Sequence, residues 1–246
     1  MKNFAVKISF LGTDFHGFQR QQNAHTVEAE ILKALFKILG EKTEIFGCSR
    51  TDAGVSALEY VFNFKTENKI TPLRLKSALN HFLPDSIAVL KIAEVEESFH
   101  ARYSCKEKEY RYIIRNSKEK CPFSDKRKTK YGISLLDAEK LNECAQSFLG
   151  EHDFSAFCSM HDGAKSHIRH ITSARVFRDG EDVIFEFRAN GFLYNMVRIA
   201  VGTLLEVQQG KISPADISAI ISAKDRSRAG FTAPPHGLYL KEVKYL

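Results

Sequence analysis

The most informative absences in this sequence of 246 residues concern paired cysteines and long apolar runs. Its five cysteines are odd in number and scattered, and no C-x-x-C pair occurs, which favours reduced thiols over disulfides or a zinc site. No apolar run approaches the roughly 20 residues that a membrane-spanning helix needs. The N-terminus lacks the layout of a signal peptide. We therefore expect a cytoplasmic protein without a membrane partner.

Signature motifs of several common enzyme classes are also missing. No Walker loop, no G-x-G-x-x-G and no G-x-S-x-G sequence occurs, so nucleotide hydrolysis, dinucleotide redox chemistry and α/β-hydrolase chemistry have no support. The histidines His161, His167 and His170 cluster, but they lack the spacing and the cysteine or carboxylate partners of a metal site. The sequence predicts neither a metal nor a cofactor.

What is present is the composition of an ordinary globular protein. Hydrophobic residues make up 43% and charged residues 27% of the chain, which excludes a disordered protein. The net charge is +6, a moderate excess that is compatible with a nucleic-acid partner without being sufficient evidence for one.

The first hundred residues alternate predicted strands and helices in the order β-α-β-β-α-β, the split βαβ order of ferredoxin-like folds. Thr26 and Thr71 are the predicted N-caps of the two helices, and Gly40 and Pro84 end them. Helix caps and stops at both ends make these two elements well defined in the sequence.

The second half shows a similar order of elements without a sequence repeat. A hairpin is predicted around Asp179-Gly180, and the most apolar helix is predicted over 190–207. We predict an α+β fold of two ferredoxin-like β-α-β-β-α-β-type halves, which form one continuous, mainly antiparallel sheet flanked by helices, with a basic central cleft. Residues 1–105 form the predicted N-terminal subdomain and residues 106–246 the C-terminal one.

The loop Cys48–Ala57 presents one arginine, Arg50, and one carboxylate, Asp52, between two predicted strands. Loops held by a rigid scaffold often carry catalytic groups. An aspartate two residues before Gly54 is also common in ordinary turns, because Asp bonds its own backbone and Gly tolerates a positive φ. The loop alone leaves both interpretations open.

Arg198 lies in the apolar segment predicted as the helix over 190–207, in the middle of that helix. An arginine among apolar residues either extends its charge to solvent or meets a partner. A carboxylate that met it would stay ionised, because a nearby positive charge lowers the pKa of an acid. An ionised, partly buried aspartate is what a nucleophile or base at neutral pH requires.

Basic residues fall mostly in predicted loops and at strand ends. Phosphate contacts favour Lys and Arg, and RNA loops also use aromatic stacking. For any single basic residue, a solvated surface position is the simpler interpretation. We include Arg102 among the predicted substrate-binding residues. The set comprises Arg20, Arg102, Lys106, Lys108, Lys126–Lys130, Arg169, Lys224, Arg226 and Arg228.

A series of short motifs runs through almost the whole chain. They are Gly12–Asp14 with Gly17 and Gln19, Arg50–Val55, Leu79-Asn80 with Leu83-Pro84, Phe99–Arg102, Lys108–Tyr112, Gly150–Phe154, Phe192-Leu193 with Met196–Arg198, Asp225-Arg226 with Ala229-Gly230, and Thr232–Pro234 with Gly237-Leu238. With these motifs in this order, the chain resembles the TruA-type tRNA pseudouridine synthases.

The resemblance implies isomerisation of uridine to pseudouridine at positions 38, 39 and 40 of the tRNA anticodon stem-loop. It assigns Asp52 as the catalytic carboxylate and Arg198 as its partner. Tyr110 is implied to pack against the target base, Leu193 to wall the pocket, and Arg50 to fill the space of the flipped-out base. The resemblance also implies a homodimer whose basic clefts draw on both subunits.

The implied reaction agrees with the residues, since it consumes no redox equivalents and needs no cofactor motif. The target base must be extruded at a cost of a few kcal/mol. A single carboxylate then suffices, either attacking the base or acting at the sugar as glycosidase carboxylates do, and the sequence leaves both routes open.

Departures from the family pattern leave Asp52, Tyr110 and Arg198 unchanged. Ser49 replaces a usual Gly, Ser56 a usual His and Phe18 a common Trp, and Gln209 interrupts a glycine pattern. One alternative is a catalytically silent tRNA-binding or folding protein on the same fold. Another is a nucleoside hydrolase, which requires a second catalytic carboxylate for which the sequence offers no candidate.

Overall fold

The structure is a computed structural model that describes residues 1–159 and 163–245. The strands are β1 (Lys2–Phe10), β2 (Ile45–Gly47), β3 (Ser56–Thr66), β4 (Ile87–Val95), β5 (Glu107–Arg115), β6 (Thr129–Lys130), β7 (Gly150–Asp153), β8 (Ile168–Asp179), β9 (Asp182–Ala189) and β10 (Leu238–Lys244). The helices are α1 (Val27–Leu39), α2 (Pro72–Phe82), α3 (Ala138–Ala145), α4 (Met196–Gln208) and α5 (Asp216–Ala223). Within these residues no helix has the length and apolar character needed to cross a membrane.

The predicted α+β class with mainly antiparallel pairing is confirmed. The chain forms two compact units, Met1–Lys106 with Tyr239–Leu246, and Glu107–Leu238. The sequence division had assigned everything after residue 105 to the second half. The end of the chain instead belongs to the first unit, because β10 pairs in parallel with β3.

The first unit has the predicted order β1-α1-β2-β3-α2-β4. In its sheet β1 lies between β4 and β3 and is antiparallel to both, while β2 pairs with the other edge of β3, also antiparallel. Phe4, Phe62 and Phe64 are fully buried and form the centre of its core. As predicted, the hydroxyl of Thr26 accepts a hydrogen bond from Ala29 N, and Gly40 ends α1 with φ +75°.

The second unit contains the antiparallel order β5-β9-β8-β7, with β6 parallel to β5. The predicted hairpin between β8 and β9 is confirmed, and Gly180 with φ +58° and Glu181 form its two-residue turn. The helix-facing core of this unit is rich in buried phenylalanines, namely Phe148, Phe154, Phe157, Phe185 and Phe187.

Helix α4 begins six residues later than predicted, at Met196 instead of residue 190. The reason is Asn195, whose backbone adopts the left-handed region with φ +62° and therefore cannot continue a right-handed helix towards the N-terminus. Arg198 consequently lies in the first turn of α4 and not in the middle of a helix, and Leu193 precedes the helix. The later helix start and the position of Leu193 outside the helix both change which groups surround Arg198.

The strand-free segment 229–233 packs directly on α4 at two glycines. A Cβ atom on Gly202 would lie 1.8 Å from the carbonyl oxygen of Phe231, and one on Gly230 would lie 2.6 Å from the Cα of Thr203. The Thr203 hydroxyl also accepts a hydrogen bond from Gly230 N at 2.9 Å. The absence of side chains at both positions therefore lets two backbones touch.

We predict that Gly202→Ala destabilises the protein by roughly 1–3 kcal/mol, because the added methyl collides with a backbone carbonyl. Helix propensity alone predicts the opposite sign, a gain of about 1 kcal/mol for Ala over Gly. Urea unfolding measures the difference. Gly191→Ala, in a segment outside the helices, is the control for an added methyl that meets no backbone, since a Cβ there only meets the Arg169 side chain at 3.6 Å. A stabilised Gly202→Ala variant contradicts the packing described.

Candidate active site

Asp52 lies in the loop between β2 and β3 and is half-buried. Its carbonyl oxygen accepts a hydrogen bond from Val55 N at 3.1 Å, which closes a tight turn. Gly54 lies in this turn with φ +82°, and its N–H donates to the carbonyl of Phe15 at 3.1 Å. The turn interpretation of Asp52 is therefore correct for its backbone, and it leaves the role of the carboxylate open.

A second loop, residues 12–18, holds the Asp52 loop through backbone contacts. A Cβ on Gly17 would lie 2.4 Å from the carbonyl oxygen of Thr51, and one on Gly12 would lie 2.0 Å from that of Val55. Gly12 N donates a hydrogen bond to the Ser56 hydroxyl at 2.9 Å. The two loops lie so close together that no side chain fits between them.

Tyr60 supports the start of the same loop from the core. Its hydroxyl donates to the carbonyl of Ser49, and its ring stacks on Phe18 with centroids 4.2 Å apart. Gly47 leaves room for that hydroxyl, since a Cβ there would lie 2.1 Å from it. The replacements noted in the sequence thus have local roles, with Phe18 as a stacking partner and Ser56 as a hydrogen-bond acceptor.

Arg50 and Arg102, both predicted to bind substrate, line one open cavity of about 540 Å³ within the first unit. Arg50 comes from the Asp52 loop, and Arg102 from the turn that follows β4. Both side chains are exposed. The structure therefore brings these two predicted residues together at one cavity. Of the two, Arg50 lies two residues before Asp52 in the same loop.

In the second unit, Tyr110 lies on β5 opposite Phe187 and is only 6% exposed. Its ring meets Phe192 edge-to-face, with centroids 5.0 Å apart and an interplanar angle of 82°. Leu193 follows Phe192 in the chain and is also buried. Tyr110 and Leu193 thus belong to the two sides of one contact, β5 and the segment before α4.

The guanidinium of Arg198 is fixed by two hydrogen bonds within the second unit. Its Nε donates to the carbonyl of Ala233 at 2.7 Å, and one terminal nitrogen donates to Oδ1 of Asn195 at 2.6 Å. The Asn195 side-chain amide in turn donates to Ser159 Oγ at 2.8 Å. Burial and then the charge of Arg198 lower the pKa of His236, so this imidazole is neutral at pH 7.

Asn195 and the Ala233 carbonyl were not foreseen from the sequence. A left-handed non-glycine residue costs energy and occurs preferentially at functional sites. Asn is the residue type that best tolerates this conformation, and its place just before a helix was the one available signal. Its strained backbone lets its side chain reach both Ser159 and Arg198.

The structure describes two of the three histidines considered for metal binding, His167 and His170. His161 lies outside the described residues. Nδ1 of His167 is 2.8 Å from the Ser155 hydroxyl, which also donates to Asp153. No group of three potential metal ligands occurs among residues 1–159 and 163–245.

The chain is similar over almost its whole length to proteins of one known family. A family model described as tRNA pseudouridine synthase matches residues 6–104 and 144–246. The chain is 48% identical over 246 residues to the tRNA pseudouridine synthase A of Acetivibrio thermocellus, with all of both chains covered. It is 45% identical to that of a Thermoanaerobacter species, again over all of both chains. The corresponding Brachyspira hyodysenteriae protein is 42% identical, with 99% of this chain and 98% of the relative covered.

The chain belongs to the tRNA pseudouridine synthase family. It is accordingly an isomerase, as the resemblance implied. Asp52, Arg50 and Arg102 lie in the first segment matched by the family model, and Leu193 and Arg198 lie in the second. Tyr110 falls between the two segments, within the region that only the full-length relatives cover.

We predict that Gly17→Ala lowers synthase activity, because its new methyl must displace the Thr51 carbonyl and with it the Asp52 loop. Gly40→Ala is a closely matched control. Both glycines have a positive φ, +84° and +75°, so both variants pay a similar strain of roughly 1–2 kcal/mol. Only Gly17 has a backbone atom in the way, since nothing lies within 4 Å of a Cβ on Gly40.

The measurement compares thermal unfolding and pseudouridine formation for the two variants. The Gly40→Ala protein is expected to lose stability but to keep its rate per folded molecule. Equal rates for the two folded variants contradict a positioning role for the 12–18 loop.

Proposed function

We propose that this enzyme isomerises uridine to pseudouridine at positions 38, 39 and 40 of the tRNA anticodon stem-loop, with Asp52 as the catalytic carboxylate. The supporting observation is the Asp52 loop itself. The loop that carries the half-buried Asp52 is held by backbone contacts from residues 12–18, in a segment that matches the family model. Such rigid placement is what a group acting on a single bond of a bound nucleotide requires.

The reaction is balanced without any added reagent. The N1–C1′ glycosidic bond breaks, the uracil rotates while bound, and a C5–C1′ bond forms. C5 loses its proton and N1 gains one, so no electrons are gained or lost overall. Asp52 serves either by attacking the base or by stabilising the sugar carbon, as carboxylates do in glycosidases.

In this proposal Arg198 is the electrostatic partner of Asp52. Its guanidinium plane is already fixed by Ala233 and Asn195, so little side-chain entropy is lost when the partner is engaged. A positive charge beside a carboxylate favours the ionised form, which is the form that acts as nucleophile.

Tyr110 is proposed to stack against the target base, and Leu193 to close the pocket beside it. The edge-to-face contact with Phe192 holds the Tyr110 ring in a fixed orientation. A fixed ring offers a flat surface to a flipped base without an entropic cost of ordering. Arg50 is proposed to occupy the gap that the extruded base leaves in the RNA stack.

We also propose that the enzyme works as a cytoplasmic homodimer without a metal or organic cofactor. The family resemblance supports the dimer, and the net charge of +6 suits a polyanionic substrate. Light scattering coupled to size-exclusion chromatography tests the oligomeric state. Activity of protein purified in EDTA tests independence from metal ions, and its loss there contradicts this part of the proposal.

The role of the Asp52 carboxylate is tested by its amide. Asp52→Asn is expected to lower pseudouridine formation at least about a thousandfold, because the amide is neither a nucleophile nor a base. Binding of tRNA should remain largely unchanged, since the side chains are nearly the same size. Release of tritium from tRNA labelled at uridine C5 measures the reaction, and filter binding measures affinity.

The same experiment separates the enzyme from a catalytically silent tRNA-binding protein on this fold. A silent protein binds tRNA but releases no tritium in either form. Substantial turnover by the Asp52→Asn variant contradicts the role of Asp52 and leaves the family activity to another group.

The Arg198→Lys variant keeps the charge but cannot reproduce the two hydrogen bonds to Ala233 and Asn195. We expect kcat to fall by about 10–100-fold, because a misplaced charge supports Asp52 less well. Arg178→Lys is the matched control. Arg178 likewise donates to one backbone carbonyl, of Leu136, and to one Asn side-chain oxygen, of Asn116. Similar kcat values for both variants contradict a catalytic contribution from Arg198.

A further inference from the structure

The cavity that contains Arg50 and Arg102 has a second group of side chains that the proposed reaction does not use. His100 and Tyr103 line it together with Phe46. Tyr103 is 78% exposed and lies in the turn that follows β4. An exposed, fixed aromatic ring beside arginines is a feature that points to a ligand.

The three rings lie in a row that runs from Phe46 to the exposed ring of Tyr103, with neighbouring rings tilted by 42° and 38°. The Phe46 and His100 centroids are 5.0 Å apart, and the His100 and Tyr103 centroids are 4.3 Å apart. The backbone N–H groups of Arg102 and Tyr103 point at Nδ1 of His100, at 3.1 and 3.4 Å. Nδ1 is therefore an acceptor, and these two contacts fix the plane of the imidazole.

The turn that carries these rings is anchored by buried polar groups. Asn63 accepts a hydrogen bond from Ala101 N at 2.8 Å and donates to Oδ1 of Asn3, and both asparagines are buried. Asn3 also donates to the carbonyl of Phe99 at 3.0 Å. Tyr245 donates to the carbonyl of Ala101 at 2.9 Å, and burial raises the pKa of this phenol, so it stays a donor.

The charges around the cavity favour an anion on the arginine side. Arg20, Arg50 and Arg102 all line it, and none of their guanidinium groups forms an ion pair with residues 1–159 or 163–245. Two carboxylates, Glu28 and Glu44, line it as well. Glu28 is engaged by the backbone N–H of Arg20 at 2.6 Å. The cavity is therefore lined by three arginines without an ion pair among the described residues and by two carboxylates, of which Glu28 already accepts a backbone hydrogen bond.

We infer that Tyr103, supported by His100, is a stacking platform for an unpaired nucleotide of the RNA substrate outside the target uridine, with Arg102 binding its phosphate. The inference rests on the proposed function, because it takes RNA as the ligand. A ring with an open face, adjacent arginines and a cavity of about 540 Å³ match a base and its phosphate together. Tyr103 is thus a positioning residue, since it holds the RNA while Asp52 meets the target.

The site fits an unpaired nucleotide better than duplex RNA. A paired base presents no free face to a side chain, whereas an unpaired base stacks on an aromatic ring regardless of its identity. The platform is fixed before the ligand arrives, so its contribution appears in affinity and not in the chemical step.

The test uses the full chain and an unmodified tRNA transcript. Dissociation constants are measured in the Asp52→Asn background, where no turnover occurs, and KM and kcat are measured in the active chain. Tyr103→Ala is expected to weaken binding and raise KM about tenfold, with kcat at saturating RNA unchanged. Tyr103→Phe keeps the ring and is expected to match the parent in all three quantities.

Two further variants separate stacking from charge and from general surface effects. Arg102→Gln is expected to reduce the slope of log Kd against log salt by about one, whereas Tyr103→Ala leaves that slope unchanged. Phe82→Ala is the control for an exposed ring in the same unit that does not line the cavity, and it should behave as the parent.

The outcomes distinguish this inference from the proposed function. If the wild-type chain forms no pseudouridine, the proposed function fails, and the dissociation constants still test the platform. If Tyr103→Ala binds tRNA as tightly as the parent, or if Tyr103→Phe is as weak as Tyr103→Ala, the stacking platform is overturned. A kcat that falls while KM stays constant also overturns it.

Discussion

The contact between two backbone segments at Gly12 and Gly17 is the constraint on which the Asp52 loop depends. Thr51 and Val55 direct their carbonyl oxygens at positions where any side chain would collide. Close packing of this kind transmits strain instead of absorbing it, so the loop has one position relative to β3. A carboxylate that acts on a single glycosidic bond needs such a fixed position, because a displacement of about 1 Å lowers the rate by orders of magnitude.

The second unit prepares its groups by the same principle but with side-chain hydrogen bonds. Arg198 is oriented by a backbone carbonyl and by Asn195, whose strained backbone is part of the arrangement. Preorganised charges are effective because they need no reorganisation during the reaction. Binding energy from the rest of the RNA then remains available for extruding the target base. The platform at Tyr103 contributes to the affinity for the RNA.

Much of the fold was predictable because its signals are local. Helix caps at Thr26 and Thr71, alternation in the strands and the hairpin at Gly180 each follow from neighbouring residues. The predicted start of α4 was wrong, since the left-handed conformation of Asn195 accompanies a hydrogen bond to Ser159, which is far away in the sequence. The contacts of Gly12 and Gly17 with the Asp52 loop were also out of reach, because no local pattern reveals which backbone a glycine touches. The candidate residues came from sequence motifs. A motif indicates which residues matter but not how far apart their side chains lie in the folded protein.

The most direct test is to map pseudouridine in an unmodified tRNA transcript, after incubation with the purified protein, by carbodiimide derivatisation and primer extension, because pseudouridine has the same mass as uridine. Pseudouridine is expected at uridines among positions 38, 39 and 40 with the wild-type chain, and at none of them with Asp52→Asn. Pseudouridine found only elsewhere in the tRNA would contradict the proposed target. Undiminished modification by the Asp52→Asn variant would contradict the central role of the carboxylate.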